Sequence, residues 1–398
     1  MTLTIVIISN LYPPVVSGSS VQASMLAKEL VKNGHTVIVI TAKLDETQKL
    51  YEFDNNIHIY RIPSIGLPKM AITYNFPWIR WTLTPGNIKR IQSIMEKHKP
   101  DIIHLHNHMF DLAASAVIMK KEFNIPLIIT IHTIVQHPNK LYNVMLSLID
   151  KLILKQWIIN PADWIICPDK TITEYIQKTF KKQHSVIIPY GIEITADTSM
   201  SQTLKDTYHL EGKKIFLSLG HVHELRDRKD IIEAMPEILK IFPEFVLLIV
   251  GDIGTNKPRL LAQKLGVEQS VIFTGPVPHS VVPSLFALSD IVGQWFHTSN
   301  LQSKTLGIAA LEAMAAGKTV IGTADEDVYG KGILLNKKNV ILLQDPKNLA
   351  QHIIEILQDT ARREYIGDNA AKTIEQFFSW NSVCNQTVQL YMRALSKN

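Results

Sequence analysis

Four groups of polar residues stand where apolar runs end, and each is of a type that acts on an oxyanion or a hydroxyl. The first, Tyr12-Pro-Pro-Val-Val-Ser17-Gly18-Ser19-Ser20, is a glycine-containing loop before a serine-capped helical repeat. Such a loop either receives an oxyanion or sugar hydroxyl on backbone N–H groups or simply makes a tight turn. The second group is histidine. His104, His106 and His108 alternate at the end of the run Ile102–Leu105, and His132 follows Leu127–Ile131. Alternation puts the first three on one face, which is the H-x-H spacing of some zinc sites. No cysteine or nearby carboxylate completes a ligand set, and a strand end can also just present polar groups. His132 can hydrogen-bond a substrate hydroxyl, take its proton, or serve the fold. The third group is the turn Gly220-His221-Val-His223-Glu-Leu-Arg226-Asp227-Arg228-Lys229, whose basic residues suit a phosphate or a solvated surface. The fourth runs from Lys304 through Leu306-Gly307-Ile308 to Glu312 and Gly317 and reads as a loop entering a short alanine-rich helix. Amides around Leu306 to Ile308, at the positive helix end, suit a diphosphate. Glu312 in so apolar a helix is costly unless it is paired or binds a ligand.

What must position these groups is a series of buried strands. Thr4–Ile8, Thr36–Thr41, Ile57–Ile62, Ile102–Leu105, Leu127–Ile131, Trp164–Cys167 and Ser185–Pro189 are apolar runs separated by stretches of helical period. After the polar stretch from Glu193 to Lys214 the pattern restarts with Ile215–Leu219, Phe245–Val250, Val271–Thr274, Asp290–Val292, Thr319–Gly322 and Val340–Leu343. The fold class expected is α/β, two doubly wound Rossmann-like halves with a boundary near residue 205. Ligands bind such sheets beyond the carboxyl ends of the strands, so a central cleft between the halves is the expected site.

Composition narrows the function classes. At 398 residues and 45.0 kDa, with 46% hydrophobic and 19% charged residues, the chain is globular, and its two cysteines make no disulfide framework. A net charge of +5 is too small for a nucleic-acid binder. Its placement is uneven: residues 1–200 hold 20 Lys and Arg against 15 Asp and Glu, while residues 201–398 hold 21 of each. The start lacks a basic region and a cleavage site, which points to a cytoplasmic protein. The most apolar stretch, Leu141 to Ile159, is broken by Asp150, Lys151 and Lys155 and is not a spanning helix. With its lysines and Trp157 it either packs in the core or rests on a bilayer and admits a lipid-linked acceptor.

The chain resembles the retaining GT-B glycosyltransferases of family 4, over nearly its whole length. The likeness rests on Tyr12-Pro-Pro with its Ser-Gly loop, Asn33-Gly-His-Thr-Val37, Pro100-Asp-Ile-Ile-His-Leu-His106, Ile129-Thr-Ile-His132, Val186-Ile-Ile-Pro-Tyr-Gly-Ile192, the turn after Gly220, Val271-Ile-Phe-Thr-Gly275, Leu311-Glu-Ala-Met-Ala-Ala-Gly-Lys318 and Phe378-Ser-Trp380. The resemblance implies domains over 1–205 and 206–378, with 379–398 a helix crossing back to the first. It implies transfer from a UDP or GDP type nucleotide-diphosphate sugar, as co-substrate, to a glycan or lipid-linked acceptor in cell-envelope or exopolysaccharide biosynthesis. It implies that no cofactor and no metal are required, and the expected place of work is the cytoplasm or the inner membrane surface. Gly18 would face the donor phosphates and His132 the donor sugar, while Gly220, His221 and the Leu306, Gly307 and Ile308 amides would lie at the phosphates. Gly275 and Val277 would lie at the base. Glu312 resembles the second glutamate of the family's E-x7-E motif, which takes the ribose hydroxyls. The first glutamate falls on Lys304; the arginine of the phosphate-binding pair falls on His221, with Arg226 in place of its companion lysine. Arg226, Lys304, Arg228 or Lys229 would stabilise the departing diphosphate. Two other readings stay open: a catalytically degenerate partner of an active transferase, and a nucleotide-sugar epimerase.

Overall fold

The computed structural model describes residues 2–66, 80–134, 137, 139–182, 184–194, 197–223, 226–293, 296, 305–343 and 345–396. The chain divides into two compact units, Met1–Gly191 with Trp380–Asn398, and Ile192–Ser379.

Among the described residues of the first unit, the strands are β1 (Thr4–Ser9), β2 (Thr36–Ala42), β3 (Tyr51–Asp54), β4 (Ile57–Ile62), β5 (Ile65–Gly66), β6 (Arg80–Trp81), β7 (Ile102–His106), β8 (Leu127–Thr130), β9 (Trp164–Cys167) and β10 (Ser185–Ile187). Eight of them form a sheet in the order β10-β9-β8-β7-β1-β2-β4-β3. Every pairing is parallel except β3 on β4, an edge that the apolar runs did not announce because its sequence, Tyr-Glu-Phe-Asp, is half charged. Ile5 to Ile8 and Val37 to Ile40 are buried because helices cover both faces of the sheet. One face packs Ile103, Leu105 and Phe180; the other packs Ile102 and Ile128 against Leu26, Cys384 and Tyr391. The helix Gly18–Lys32 and the closing helix Trp380–Leu395 supply that second layer. Register sets Ser9 beside His106 and His106 beside Thr130, so the carboxyl ends of β1, β7 and β8 lie level.

In the second unit β11 (Lys214–Leu219), β12 (Phe245–Val250), β13 (Val271–Gly275), β14 (Ile291–Gly293), β15 (Thr319–Gly322) and β16 (Ile341–Leu342) form a parallel sheet ordered β13-β12-β11-β14-β15-β16. The division falls at Gly191 rather than near residue 205. The intervening stretch belongs to the second core: Ile192 N–H donates to Phe378 O at 2.8 Å, Met200 N–H to Ser284 Oγ at 3.2 Å, and Leu204 is buried there. A polar composition put the boundary inside this segment, yet Ile192 and Leu204 are buried and two of its amides are bonded in the second unit.

Candidate functional site

In the first unit the loop after β1 closes on itself. Ser17 caps the helix Gly18–Lys32, its Oγ accepting from Ser20 N–H at 3.1 Å while Ser20 Oγ accepts from Ser17 N–H at 2.8 Å. This reciprocal capping box uses two of the amides that the loop could offer an anion. Gly18 itself opens on space, with nothing within 4 Å of where a Cβ would stand.

At the carboxyl ends of β7 and β8 lies a histidine network. His104 Nδ1 is 2.6 Å from the Tyr391 hydroxyl and its Nε2 is 2.7 Å from Thr130 Oγ1. His106 Nδ1 is 2.9 Å from His132 Nε2, and His132 Nδ1 is 3.2 Å from the Tyr190 hydroxyl, with the two rings stacked at 5.5 Å. A cavity of about 30 Å³ beside them is lined by His104, His106, His132, Tyr190, Gln22 and Trp380. Burial holds the His104 and His132 rings neutral, pushing both pKa values down to about 3, and lowers that of His106 well below its ordinary range. His132 therefore stands where the sequence put it, but both nitrogens are engaged and a ring so hard to protonate is a poor proton acceptor. It can meet a substrate hydroxyl by exchanging one hydrogen bond for another. His106, one of the alternating histidines, is one partner; Tyr190 is the partner to which sequence reasoning gave no role, though the Pro189-Tyr190-Gly191 motif carried the signal. The three alternating histidines do not share one face. Asn107 has φ 69°, which breaks the alternation after β7, and His108 turns to the opposite layer against Phe180.

In the second unit the strand ends meet through glycines. Gly251 N–H donates to Gly275 O at 3.0 Å and Gly220 N–H to Val250 O at 2.8 Å. At φ 135° Gly251 approaches so closely that a Cβ would sit 2.6 Å from Gly220 O. The turn that follows is folded over a buried arginine: Arg228 donates from Nε to Ser218 Oγ at 2.7 Å, from Nη2 to Gly220 O at 2.8 Å and from Nη1 to Arg226 O at 2.6 Å. Arg228 thus shapes the turn, and its expected role at the diphosphate is corrected: the residue is 1% exposed. Lys229 lies 3.6 Å from Glu233. His221 is exposed and Arg226 is partly buried.

The fourth group opens the helix Ile308–Ala315. Gly307 is its N-cap, and no side chain among the described residues caps it. Leu306 is buried and its carbonyl accepts from the Tyr329 hydroxyl at 2.8 Å, so it can face a ligand only through its amide. Val277 packs on the same core, and Gly275, at φ 75°, is open where a Cβ would stand. Glu312 is partly buried, which raises its pKa, and its Oε1 is 3.3 Å from Nε2 of the exposed His279. Glu193 and His279 line a small pocket with Glu312 and were not singled out from sequence; they come from segments far from it in the chain. Lys304 lies outside the described residues. Gly220, His221, Arg226, Gly275, Val277, Leu306, Gly307, Ile308 and Glu312 all belong to the second unit, whereas Gly18 and His132 belong to the first.

Comparison with known proteins settles the family. Residues 16–196 match the profile of Glycosyltransferase Family 4 and residues 201–373 that of Glycosyl transferases group 1. The chain is a group 1 glycosyltransferase. This transferase is 26% identical to an uncharacterized glycosyltransferase of Methanocaldococcus jannaschii over 96% of each chain. It is 25% identical to the alpha-monoglucosyldiacylglycerol synthase of Streptococcus pneumoniae, over 93% of this chain and 84% of that protein. Its fold is GT-B. The sucrose-phosphate synthase of Thermosynechococcus elongatus superposes with a TM-score of 0.73 at 18% identity, covering 99% of this chain and all of that one. Anabaena HepE, solved in complex with UDP, gives 0.70 at 17% identity, over 98% of this chain and 100% of the other.

Proposed function

We propose that the transferase moves a sugar, with retention, from a UDP or GDP type nucleotide sugar to a glycan or lipid-linked acceptor in cell-envelope or exopolysaccharide biosynthesis. The observation that carries this reading is Glu312. A half-buried carboxylate on an apolar helix, met by one exposed histidine, has acceptor capacity to spare, and a vicinal diol such as that of a ribose fills it with two donated hydrogen bonds. One helical turn earlier the end at Gly307, without a side-chain cap among the described residues, offers amides and a positive dipole to a diphosphate.

Arg226 is the proposed cation for the departing diphosphate. Charge developing on that leaving group is stabilised by the guanidinium and the helix end together, so the reading calls on no metal. Retention follows from displacement on the face that the leaving phosphate occupies, the phosphate itself assisting the incoming hydroxyl. In the first unit His132 orients a hydroxyl rather than taking a proton, since its ring stays neutral. HepE has been solved with UDP-glucose, which supports a uridine donor for this fold.

Calorimetry and turnover with UDP-, GDP- and ADP-sugars test the proposal. Saturable binding of a UDP- or GDP-sugar, with slow release of the nucleoside diphosphate, is expected. Glu312→Ala should weaken it about ten- to a hundredfold, the worth of a charged hydrogen bond. Binding of none of the three, or equal binding by the variant, would overturn the reading.

A further inference from the structure

The helix Lys140–Ile149 continues without a break into a π-helix, Asp150–Ile159, at whose end Asn160 N–H bonds the carbonyl five residues back, that of Lys155, at 2.8 Å. In the α part no residue is buried, and Leu141, Val144, Met145 and Leu148 are exposed at spacings of three and four, one stripe along the cylinder. Past Asp150 the exposed apolar residues are Leu152, Ile153 and Trp157, and the spacing lengthens to four and five. Under α winding Trp157 would lie about 140° around the axis from Leu152. The wider turn of i→i+5 bonding returns it to the same side. The π stretch is therefore what keeps the stripe continuous. It also turns Asp150, Ile158 and Ile159 inward, where the carboxylate accepts a hydrogen bond from the Tyr175 hydroxyl.

The stripe is bare: Leu141 is 74% exposed, Leu152 67% and Trp157 72%. Its charge is of one sign. From Asn139 to Asn160 the surface charges are Lys140, Lys151 and Lys155, and the single carboxylate, Asp150, is buried. No helix among the described residues is long and apolar enough to cross a membrane. A row of aliphatic side chains with a tryptophan, edged by lysines and without an exposed acid, matches the interface of an anionic bilayer, where apolar groups reach the acyl chains and lysines the headgroups.

We propose that the face formed by Leu141 to Leu148 and Leu152 to Trp157 docks in plane on an anionic lipid surface, and that the π-helical stretch phases it. This goes beyond the transfer reading and stands whether or not the proposed donor is right. Flotation of the full chain with phosphatidylcholine vesicles, alone and mixed with phosphatidylglycerol, tests it. Binding to the mixed vesicles, weakened by salt, is expected. Leu148→Ser/Leu152→Ser should lower partitioning about tenfold or more, and Lys151→Glu/Lys155→Glu about tenfold on anionic vesicles. Leu260→Ser, exposed on the second unit, should change nothing. Trp157→Ser should weaken binding as the leucine pair does; an unchanged result there would overturn the phasing. No flotation, or flotation indifferent to the leucine pair, would overturn the docking face. Self-association lost in Leu148→Ser/Leu152→Ser, without vesicle binding, would give the face to a second copy and overturn the lipid surface as its partner.

Discussion

Each unit of the transferase has a glycine at the start of a helix that follows a strand, and the two ends are built differently. At Gly18 the serines on either side satisfy one another, and the neighbouring His104 and His132 engage both ring nitrogens within the unit, while Nε2 of the buried His106 has no hydrogen-bond partner among the described residues. At Gly307 no side chain among the described residues caps the helix, and Glu312 on its next turn meets an exposed histidine and a second carboxylate, Glu193, across a small pocket. Saturated polar groups rigidify; polar groups with capacity left bind. By that measure the helix end at Gly307 with Glu312 has more open capacity for a charged ligand than the capped turn at Gly18.

The contrast breaks most sharply at a glycine that the second unit cannot replace. A methyl at Gly251 would stand 2.6 Å from Gly220 O and 2.8 Å from its carbonyl carbon, on a backbone at φ 135° that side chains rarely adopt. Gly251→Ala should destabilise the protein by more than about 2 kcal/mol, through strain and the contact together. Urea denaturation measures it. A change within about 0.5 kcal/mol would mean that the strand ends of the second unit are not fixed by this approach.

Much of this could be read from the residues. The thirteen apolar runs are strands because burial on both faces of a parallel sheet leaves a continuous apolar signature, as in Ile5 to Ile8. The Gly307 helix start and the Gly317 stop were legible for the same local reason, a residue type matched to a backbone state. What stayed hidden was set by distant partners. That Arg228 is inside and Arg226 only partly so depends on Ser218 and the Gly220 carbonyl, and composition ranks the two arginines alike. His279 reaches Glu312 across 33 residues of chain, and Tyr190 reaches His132 across 58. The phase of the helix after Asp150 was illegible too, because periodicity arguments assume 3.6 residues per turn.

A smaller effect sharpens the other side of the comparison. Burial places the pKa of His104 and of His132 at about 3 and that of His108 at about 4, against 6.5 in an open chain. The unfolded chain therefore takes up protons that the folded one refuses. The stability these neutral rings contribute is whole above about pH 6.5 and is lost as pH falls toward their folded values. Each ring should lower stability by about 1.4 kcal/mol per pH unit across that window. Denaturation followed from pH 7 to 4.5 should show the slope, and His104→Gln should reduce it by about one proton. A flat profile would mean that the network is hydrated or already charged. The same depressed pKa means that His132 gives the rate profile no limb near pH 6.5; a limb that disappears in His132→Gln would restore it as a base.

The smallest change should be the most informative about the first unit. At Gly18 a methyl meets nothing within 4 Å, and the residue opens a helix whose cap is made by Ser17 and Ser20. Gly18→Ala therefore has no contact to break, and the lower entropy of the unfolded chain favours it by a few tenths to about 1 kcal/mol. Thermal unfolding should rise slightly or stay level. Ligand affinity is a separate matter. If a phosphate approaches this backbone, as the family resemblance implies, the methyl occupies the space the phosphate needs, and donor affinity should fall several-fold while stability does not. Calorimetry on Gly18→Ala beside its melting curve separates the two quantities. Loss of both would show that the loop depends on glycine for its shape; loss of neither would leave it a capped turn, with all recognition of the donor in the second unit.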